Sequence, residues 1–220
     1  LKRKIIVTGD GSKTIHIEDW NEQYHSKHGA IQEAYHVFLK NGLFALERSR
    51  ISILEIGFGT ALNALITYYE AQKNGFTIEY VGVEAFPISF GEITQLNYVS
   101  QLGENQLRPI YERMHGSPWG ETVVLSPFFS LIKQQKDFFE VEDDASFNLI
   151  YFDAFGPRVQ PKLWTAELFR KMHRALQANG ILVTYSAKGS VRRNLEEVGF
   201  SVERLPGPPG KREMLRAVKV

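Results

Sequence analysis

The stretch I-S-I-L-E-I-G-F-G-T-A-L-N, from Ile51 to Asn63, decides the fold. An apolar run of β-type residues carries Glu55 near its end, Gly57 and Gly59 flank Phe58, and helix-forming residues follow. A strand that runs through two glycines into a helix brings bare backbone against a ligand, because glycine takes conformations closed to other residues. The unpaired N–H groups of the new helix then face that ligand and favour an anionic group. The next apolar run, Y-V-G-V-E, ends at Glu84, a spacing suited to gripping a ribose within a βαβ unit. Together these features point to a nucleoside-containing cofactor.

The dinucleotide fingerprint G-x-G-x-x-G needs a third glycine for close helix–strand packing, and Leu62 stands at that position. With Glu55 two residues ahead of Gly57, the arrangement E-x-G-x-G instead resembles motif I of the class I S-adenosylmethionine (SAM) methyltransferases. A tight strand-to-helix turn with no ligand is the competing explanation of two glycines alone.

The 220 residues, 43% hydrophobic, suit one globular domain spanning 1–220, with 1–45 an N-terminal hairpin and helix and 46–220 the core. The absence of cysteine excludes disulfides, thiolate zinc sites and a cysteine nucleophile. No apolar run approaches the ~18–20 residues that span a membrane, and no secretory leader is visible, so a cytoplasmic location is expected. The net charge is +1 but unevenly spread. Residues 151–220 hold 13 Lys+Arg against 6 Asp+Glu, a balance of +7, and residues 1–150 balance at −6. Such asymmetry suits a polyanionic partner on one side, or else reflects solvated helix faces.

Residues 4–17 read as a β-hairpin around a two-residue Asp10-Gly11 turn. An irregular segment with Trp20, Tyr24, His25 and Ser26 precedes a helix at about 30–41. Regular alternation then begins: strand Ile51–Ile56, helix 60–74, strand Ile78–Glu84, a helix from Pro87 to about Ser100 and a second piece near 105–114. The third strand is Thr122–Ser126, with a helix at 127–137, and the fourth is Phe147–Asp153, with a helix at about Thr165–Leu176. Strand Ile181–Ser186, a helix at 190–198 and strands Phe200–Arg204 and Glu213–Val218 complete the chain. This order predicts an α/β fold: a Rossmann-like, mostly parallel seven-stranded sheet. Only P-G-P-P-G-K-R separates the last two strands, so the final one is antiparallel, as in class I SAM methyltransferases.

Ligands of open α/β sheets bind beyond the carboxyl ends of the strands. Asp153 ends a buried apolar strand there and is followed by Phe155, Gly156 and Pro157. Methyl transfer from a sulfonium is an in-line displacement, so the acceptor lone pair must be held against the methyl group. An amine acceptor must first be neutral, and a carboxylate can orient its ammonium and receive the proton. The alternative for Asp153 is a cap on the following loop. Glu84 would accept from ribose hydroxyls; Glu55 would either brace the glycine turn or lie near the methionine ammonium. Tyr24 and Ser26 can fold over the cofactor, and Glu33 reads as a solvated acid. No histidine spacing suits a metal, so no metal site is expected. Lys188, Arg192 and Arg193 cluster at a helix start, where the macrodipole disfavours cations, and departures from local rules mark functional places. With Lys211 and Arg212 they can form a phosphate-binding patch, or they serve solubility.

Across nearly its whole length the chain resembles the bacterial tRNA 5-methylaminomethyl-2-thiouridine methyltransferases. The resemblance rests on Y-H-S at 24–26, Q-E-A-x-x-V-F-L at 32–39, E-I-G-F-G-T-x-L-N at 55–63 and F-D-A-F-x-P at 152–157. L-W-T-x-x-L-F at 163–169, S-A-x-G-x-V-R-R-x-L at 186–195 and G-K-R-E-M-L at 210–215 extend it. It implies methylation by SAM of the primary amine of 5-aminomethyl(-2-thio)uridine at the tRNA wobble position. Gly57, Gly59 and Glu84, with Thr60 and Asn63 of the same motif, would hold SAM, and Asp153 would face the amine. The anticodon region of tRNA would meet the basic patch, with Phe155 or Trp164 stacking on the base. Some relatives carry a fused FAD-dependent oxidase; no second glycine fingerprint follows in this chain, so only methylation and no FAD are expected. The acid common after strand three, near the adenine, has no counterpart at Ser126-Pro127. Three other readings keep the fold: an aminopropyltransferase, disfavoured by the basic last third, another class I methyltransferase, and a non-enzymatic RNA-binding module.

Overall fold

The computed structural model describes residues 2–220. Three short strands, β1 (Arg3–Val7), β2 (Lys13–Ile17) and β3 (Glu22–Gln23), make an antiparallel sheet at the start. The expected hairpin is present, but Val7 pairs with Lys13, so residues 8–12 form the loop rather than Asp10-Gly11 alone. The Asp10 carboxylate organises it, accepting from Thr8 Oγ1 (2.8 Å), Ser12 N (3.1 Å) and, across the chain, Gln32 N (3.0 Å). That last bond pins the loop to helix α1 (Ala30–Ala34), which continues as a π-type turn over Tyr35–Lys40.

The core is an eight-stranded sheet around β4 (Arg50–Ile56), β5 (Thr77–Glu84), β6 (Thr122–Ser126), β7 (Phe129–Gln135), β8 (Phe147–Phe152), β9 (Leu176–Thr184), β10 (Phe200–Pro206) and β11 (Glu213–Lys219). Its order is β10-β11-β9-β8-β4-β5-β7-β6. Strands β9, β8, β4, β5 and β7 are parallel, and β11 inserts antiparallel between β9 and β10, as the short connection at 207–212 requires. All six residues of β8 are buried, the pattern of a strand covered on both faces. One cover is built from α1, α2 (Leu62–Asn74), α3 (Phe90–Ile93), α4 (Tyr98–Gln101) and α5 (Arg108–Gly116), with Phe38, Leu65, Tyr98 and Met114 in the core. The other uses α6 (Ala166–Ala175) and α7 (Gly189–Glu197), with Leu168, Phe169, Met172, Val191 and Leu195. Among the described residues no helix is long and apolar enough to cross a membrane.

One expectation fails. Residues 127–137 do not form a helix; Phe129–Gln135 is strand β7, the parallel neighbour of β5. Thr122–Ser126 is its antiparallel edge partner, which makes eight strands rather than seven. Phe129, Leu131 and Lys133 alternate inward with period two. The helix-forming composition L-I-K-Q-Q yields to the sheet, whose packing outweighs propensity differences of a few tenths of a kcal/mol. A lysine in an inward position hides the alternation. Its ammonium donates to the His115 carbonyl (2.6 Å) and sits 4.8 Å from the Trp119 ring centre, and burial pulls its pKa down to about 8. Two smaller differences are boundaries: the helix after Pro87 breaks into α3 and α4, and β9 starts at Leu176, with a register shift opposite β8 between Phe147 and Leu149.

Gly82 of β5 lets the Phe58 ring lie directly on the strand; a methyl group there would overlap ring atoms Cδ2 and Cγ. Gly82→Ala should therefore displace Phe58 and cost about 1–3 kcal/mol, the range for overpacking a filled site. Urea denaturation measures this, and an unchanged midpoint would show that the ring has room to move.

Candidate active site

The carboxyl ends of the parallel strands open into a cavity of about 940 Å³, walled on other sides by residues 20–28 and by the β10–β11 loop. The glycine turn forms one edge. Gly57 has φ +92°, and a Cβ there would stand 2.7 Å from the Asp153 carbonyl oxygen. Gly59 has φ +46° and its N–H donates to Glu84 Oε2 (3.0 Å), while Glu84 Oε1 accepts from Phe86 N (2.9 Å). The Glu84 carboxylate thus braces the turn from the end of β5 and still lines the cavity.

Asn63, in the first turn of α2, joins two carboxylates. Its Nδ2 donates to Glu55 Oε1 (2.8 Å) and to Asp153 Oδ2 (2.9 Å), and its buried Oδ1 has no partner. Glu55 is buried on β4, with Oε2 taken by the Tyr80 hydroxyl (2.8 Å). Burial drives its pKa well up, against the Asn63 bond. Asp153 follows β8 and reaches the cavity. Its pKa is also well raised, first by desolvation and then by the Glu33 carboxylate, with Asn63 and Lys211 opposing.

The N-terminal segment enters the same space. Tyr24 lines it and meets Phe155 edge-on at 4.9 Å, with Trp20 on Phe155 at 5.4 Å; burial raises the Tyr24 pKa to about 12. Ser26 is buried and donates its backbone N–H to Glu33 Oε1 (2.9 Å). Glu33 is therefore no solvated acid: it is 5% exposed and paired with Lys211 Nζ at 2.5 Å. Thr60 is also among the cavity-lining residues, with its hydroxyl accepting from Tyr98 (3.2 Å) and its carbonyl from Tyr111 (2.9 Å).

The basic residues separate. Lys188, Lys211 and Arg212 line the cavity. Arg192 and Arg193 do not: Arg192 pairs along α7 with Glu196 (3.4 Å), and Arg193 is exposed beyond Gly189. Trp164 is 3% exposed with its indole N–H donating to the Phe155 carbonyl (2.8 Å), which leaves Phe155 as the cavity-facing aromatic of that pair. Asp137 was missed by sequence reasoning. With β7 as the third parallel strand, the residues beyond its end are 136–138, and Asp137 lines the cavity. Its carboxylate accepts from Phe139 N (2.9 Å) at the start of a short 3-10 turn. It stands eleven residues beyond Ser126.

Residues 130–220 match the family of S-adenosyl-L-methionine-dependent methyltransferases. The crystal structure of MnmC2 from Aquifex aeolicus superposes with a TM-score of 0.75 at 27% identity, covering 98% of this chain and 70% of that one. Spermidine synthase from Thermotoga maritima shares the fold alone, with a TM-score of 0.55 at 12% identity over 100% of this chain and 72% of that one. The chain has the class I fold of the S-adenosyl-L-methionine-dependent methyltransferases. Among its relatives is the tRNA 5-methylaminomethyl-2-thiouridine biosynthesis bifunctional protein MnmC of Hydrogenovibrio crunogenus, 30% identical over 89% of this chain and 31% of its own length. The resemblance read from the sequence motifs is borne out by these matches, and the chain spans about a third of the length of the curated relatives it matches.

The raised Asp153 pKa has a consequence for folding. Below the carboxylate's unfolded pKa, near 4, the group is protonated in both states and costs nothing. As pH rises toward and through the folded value, the unfolded chain ionises more readily and stability is lost. Asp153→Asn keeps an acceptor for Asn63 and should make the protein more stable than wild type at pH 8, with the gain vanishing toward pH 4. Denaturation midpoints across that range decide it; an Asn variant less stable at pH 8 would mean the carboxylate is not penalised.

Proposed function

We propose that this chain transfers a methyl group from SAM to the primary amine of 5-aminomethyl(-2-thio)uridine at the wobble position of tRNA. The observation that carries the reading is Asp153, a carboxylate of raised pKa brought beside the glycine turn and open to the cavity. SAM, when bound, supplies a sulfonium methyl as the electrophile. The residues present fit such a molecule. Gly57 and Gly59 leave backbone bare, Glu84 and Asp137 put acids at the ends of adjacent strands for ribose and adenine donors, and Asn63 Oδ1 is an acceptor awaiting a donor.

Asn63 holds Asp153 by Oδ2, leaving Oδ1 to orient the incoming ammonium and take its proton. A half-buried carboxylate of raised pKa is a better proton acceptor than an exposed one. Phe155, flanked by Trp20 and Tyr24, offers a face to the uracil ring, and Lys188 and Arg212 at the same cavity suit the flanking phosphates. A polyamine acceptor is less suited: Glu22 is tied to Arg158 (3.1 Å) and Glu33 to Lys211, which leaves too few free acids for several cationic centres.

Undermodified tRNA incubated with labelled SAM should gain label at the wobble uridine; label elsewhere, or none, refutes the assignment. Asp153→Ala should cut turnover about a hundredfold or more while calorimetric SAM affinity barely changes. Asp137→Ala should do the reverse, weakening SAM about tenfold, as loss of a charged hydrogen bond does. Equal losses in both measurements for both variants would mean that Asp153 does not act on the acceptor and Asp137 does not act on the cofactor.

A further inference from the structure

The loop between β10 and β11 is built to aim one side chain. Gly207 N–H donates to the Arg212 carbonyl (3.0 Å) and Lys211 N–H to the Pro208 carbonyl (2.9 Å), closing the loop on itself. Gly210, at φ +83°, lies so close to the His28 ring that a Cβ would collide with it, and His36 Nε2 bonds the Pro206 carbonyl (2.7 Å). Lys211 is thereby directed inward. Its ammonium meets the buried Glu33 carboxylate at 2.5 Å and lies 3.9 Å from the centre of the Tyr185 ring. Tyr185 is fixed in turn by its hydroxyl, which donates to the Ala154 carbonyl (2.8 Å), next to Asp153. Ordering a lysine this closely costs side-chain entropy that a solvent-facing lysine would keep.

The charges around Asp153 show what the arrangement achieves. Asp153 is faced by Glu55 from β4, by Glu33 from α1, by Tyr185 beyond β9 and by Lys211. Burial keeps Glu55 toward its neutral form, and the Tyr185 phenol is likewise held protonated. His25, whose pKa burial lowers to about 4, is neutral; His28 and the Glu84 carboxylate, the latter on two backbone N–H groups, line other parts of the cavity. Lys188 and Arg212 line it too, from exposed positions. Among these groups Lys211 is the cation in contact with a carboxylate neighbour of Asp153.

We propose that Lys211, held on Glu33, is a positioning residue that sets the charge of the acceptor end of the cavity, so that an arriving amine meets one uncompensated carboxylate, Asp153, rather than two. This rests on the amine acceptor proposed above. With one net negative charge the ammonium is attracted yet gives up its proton; with two it would be held charged and its lone pair withheld. Removing the lysine also makes Asp153 harder to ionise, so both effects move the same limb of the pH profile in the same direction.

The test compares wild type, Lys211→Met, Glu33→Gln and the double variant. Methyl-transfer rates are followed against pH, and the Asp153 carboxyl is titrated by carbon NMR in the ligand-free protein, with Asp153→Asn for assignment. Lys211→Met should raise both the acidic limb and the Asp153 midpoint by about one pH unit. The double variant should return both toward wild type, because it restores the charge without the lysine. Lys211→Arg keeps the charge and should keep the wild-type limb, and these two variants carry the test if Lys211→Met does not fold. An unmoved midpoint in Lys211→Met, or a double variant no better than the single, overturns the proposal. If the wild-type chain methylates no amine, the functional reading fails, and the ligand-free titration still decides the charge claim.

Discussion

The Asn63 amide joins two acids at the heads of neighbouring strands, and the site depends on that bridge. Glu55 on β4 and Asp153 after β8 come together because Ile56 and Phe152 are parallel partners. Two acids so placed are costly to bury with both ionised, and burial keeps Glu55 toward its neutral form. One NH2 group donating to both supplies the compensation that water would otherwise give. It sits in the first turn of α2, so the strand–glycine–helix sequence does more than bare its backbone: it delivers the donor that lets Asp153 stand at the cavity wall.

Three other acids at the cavity each have a partner. Glu84 is held by two backbone N–H groups, Glu22 by Arg158, and Glu33 by Lys211. Ion pairs at a surface contribute little to stability, but an acid as buried as Glu33 without its cation would be strongly unfavourable. The pairing therefore serves the fold and the electrostatics of the cavity at once. Asp153 instead has an amide partner, Asn63.

What was legible in the sequence follows from which signals are local. Gly57, Gly59 and Glu84 were readable because a strand, a tight turn and an acid at fixed spacing are consecutive in the chain. The antiparallel ending was readable because the connection at 207–212 is too short for a crossover. Residues 127–137 were not, since Lys133 interrupts the apolar alternation that marks a strand, and its partner, the His115 carbonyl, is distant in sequence. That single misassignment concealed Asp137, because the rule that sites follow parallel strands was applied to the wrong strand. Glu33 was hidden for another reason: its charge partner is Lys211, 178 residues away, and no local pattern records such a pairing. Arg192 and Arg193 lie outside the cavity lining, and the first of them has an i,i+4 partner at Glu196.

The N-terminal extension belongs to the site rather than being added to it. Arg158 donates to the carbonyls of Trp20 (3.0 Å) and Asn21 (3.0 Å) as well as to Glu22, clasping the β8–α6 connection to the segment that carries Tyr24 and Ser26. On the other side Asp10 ties the hairpin loop to α1, and α1 presents Glu33 to Lys211. The class I sheet forms one side of the cavity; the extension, the β8–α6 connection and the β10–β11 loop close the rest around it. Substrate choice can then diverge among proteins of this fold through these three segments while the glycine turn and its bracing acid stay as they are.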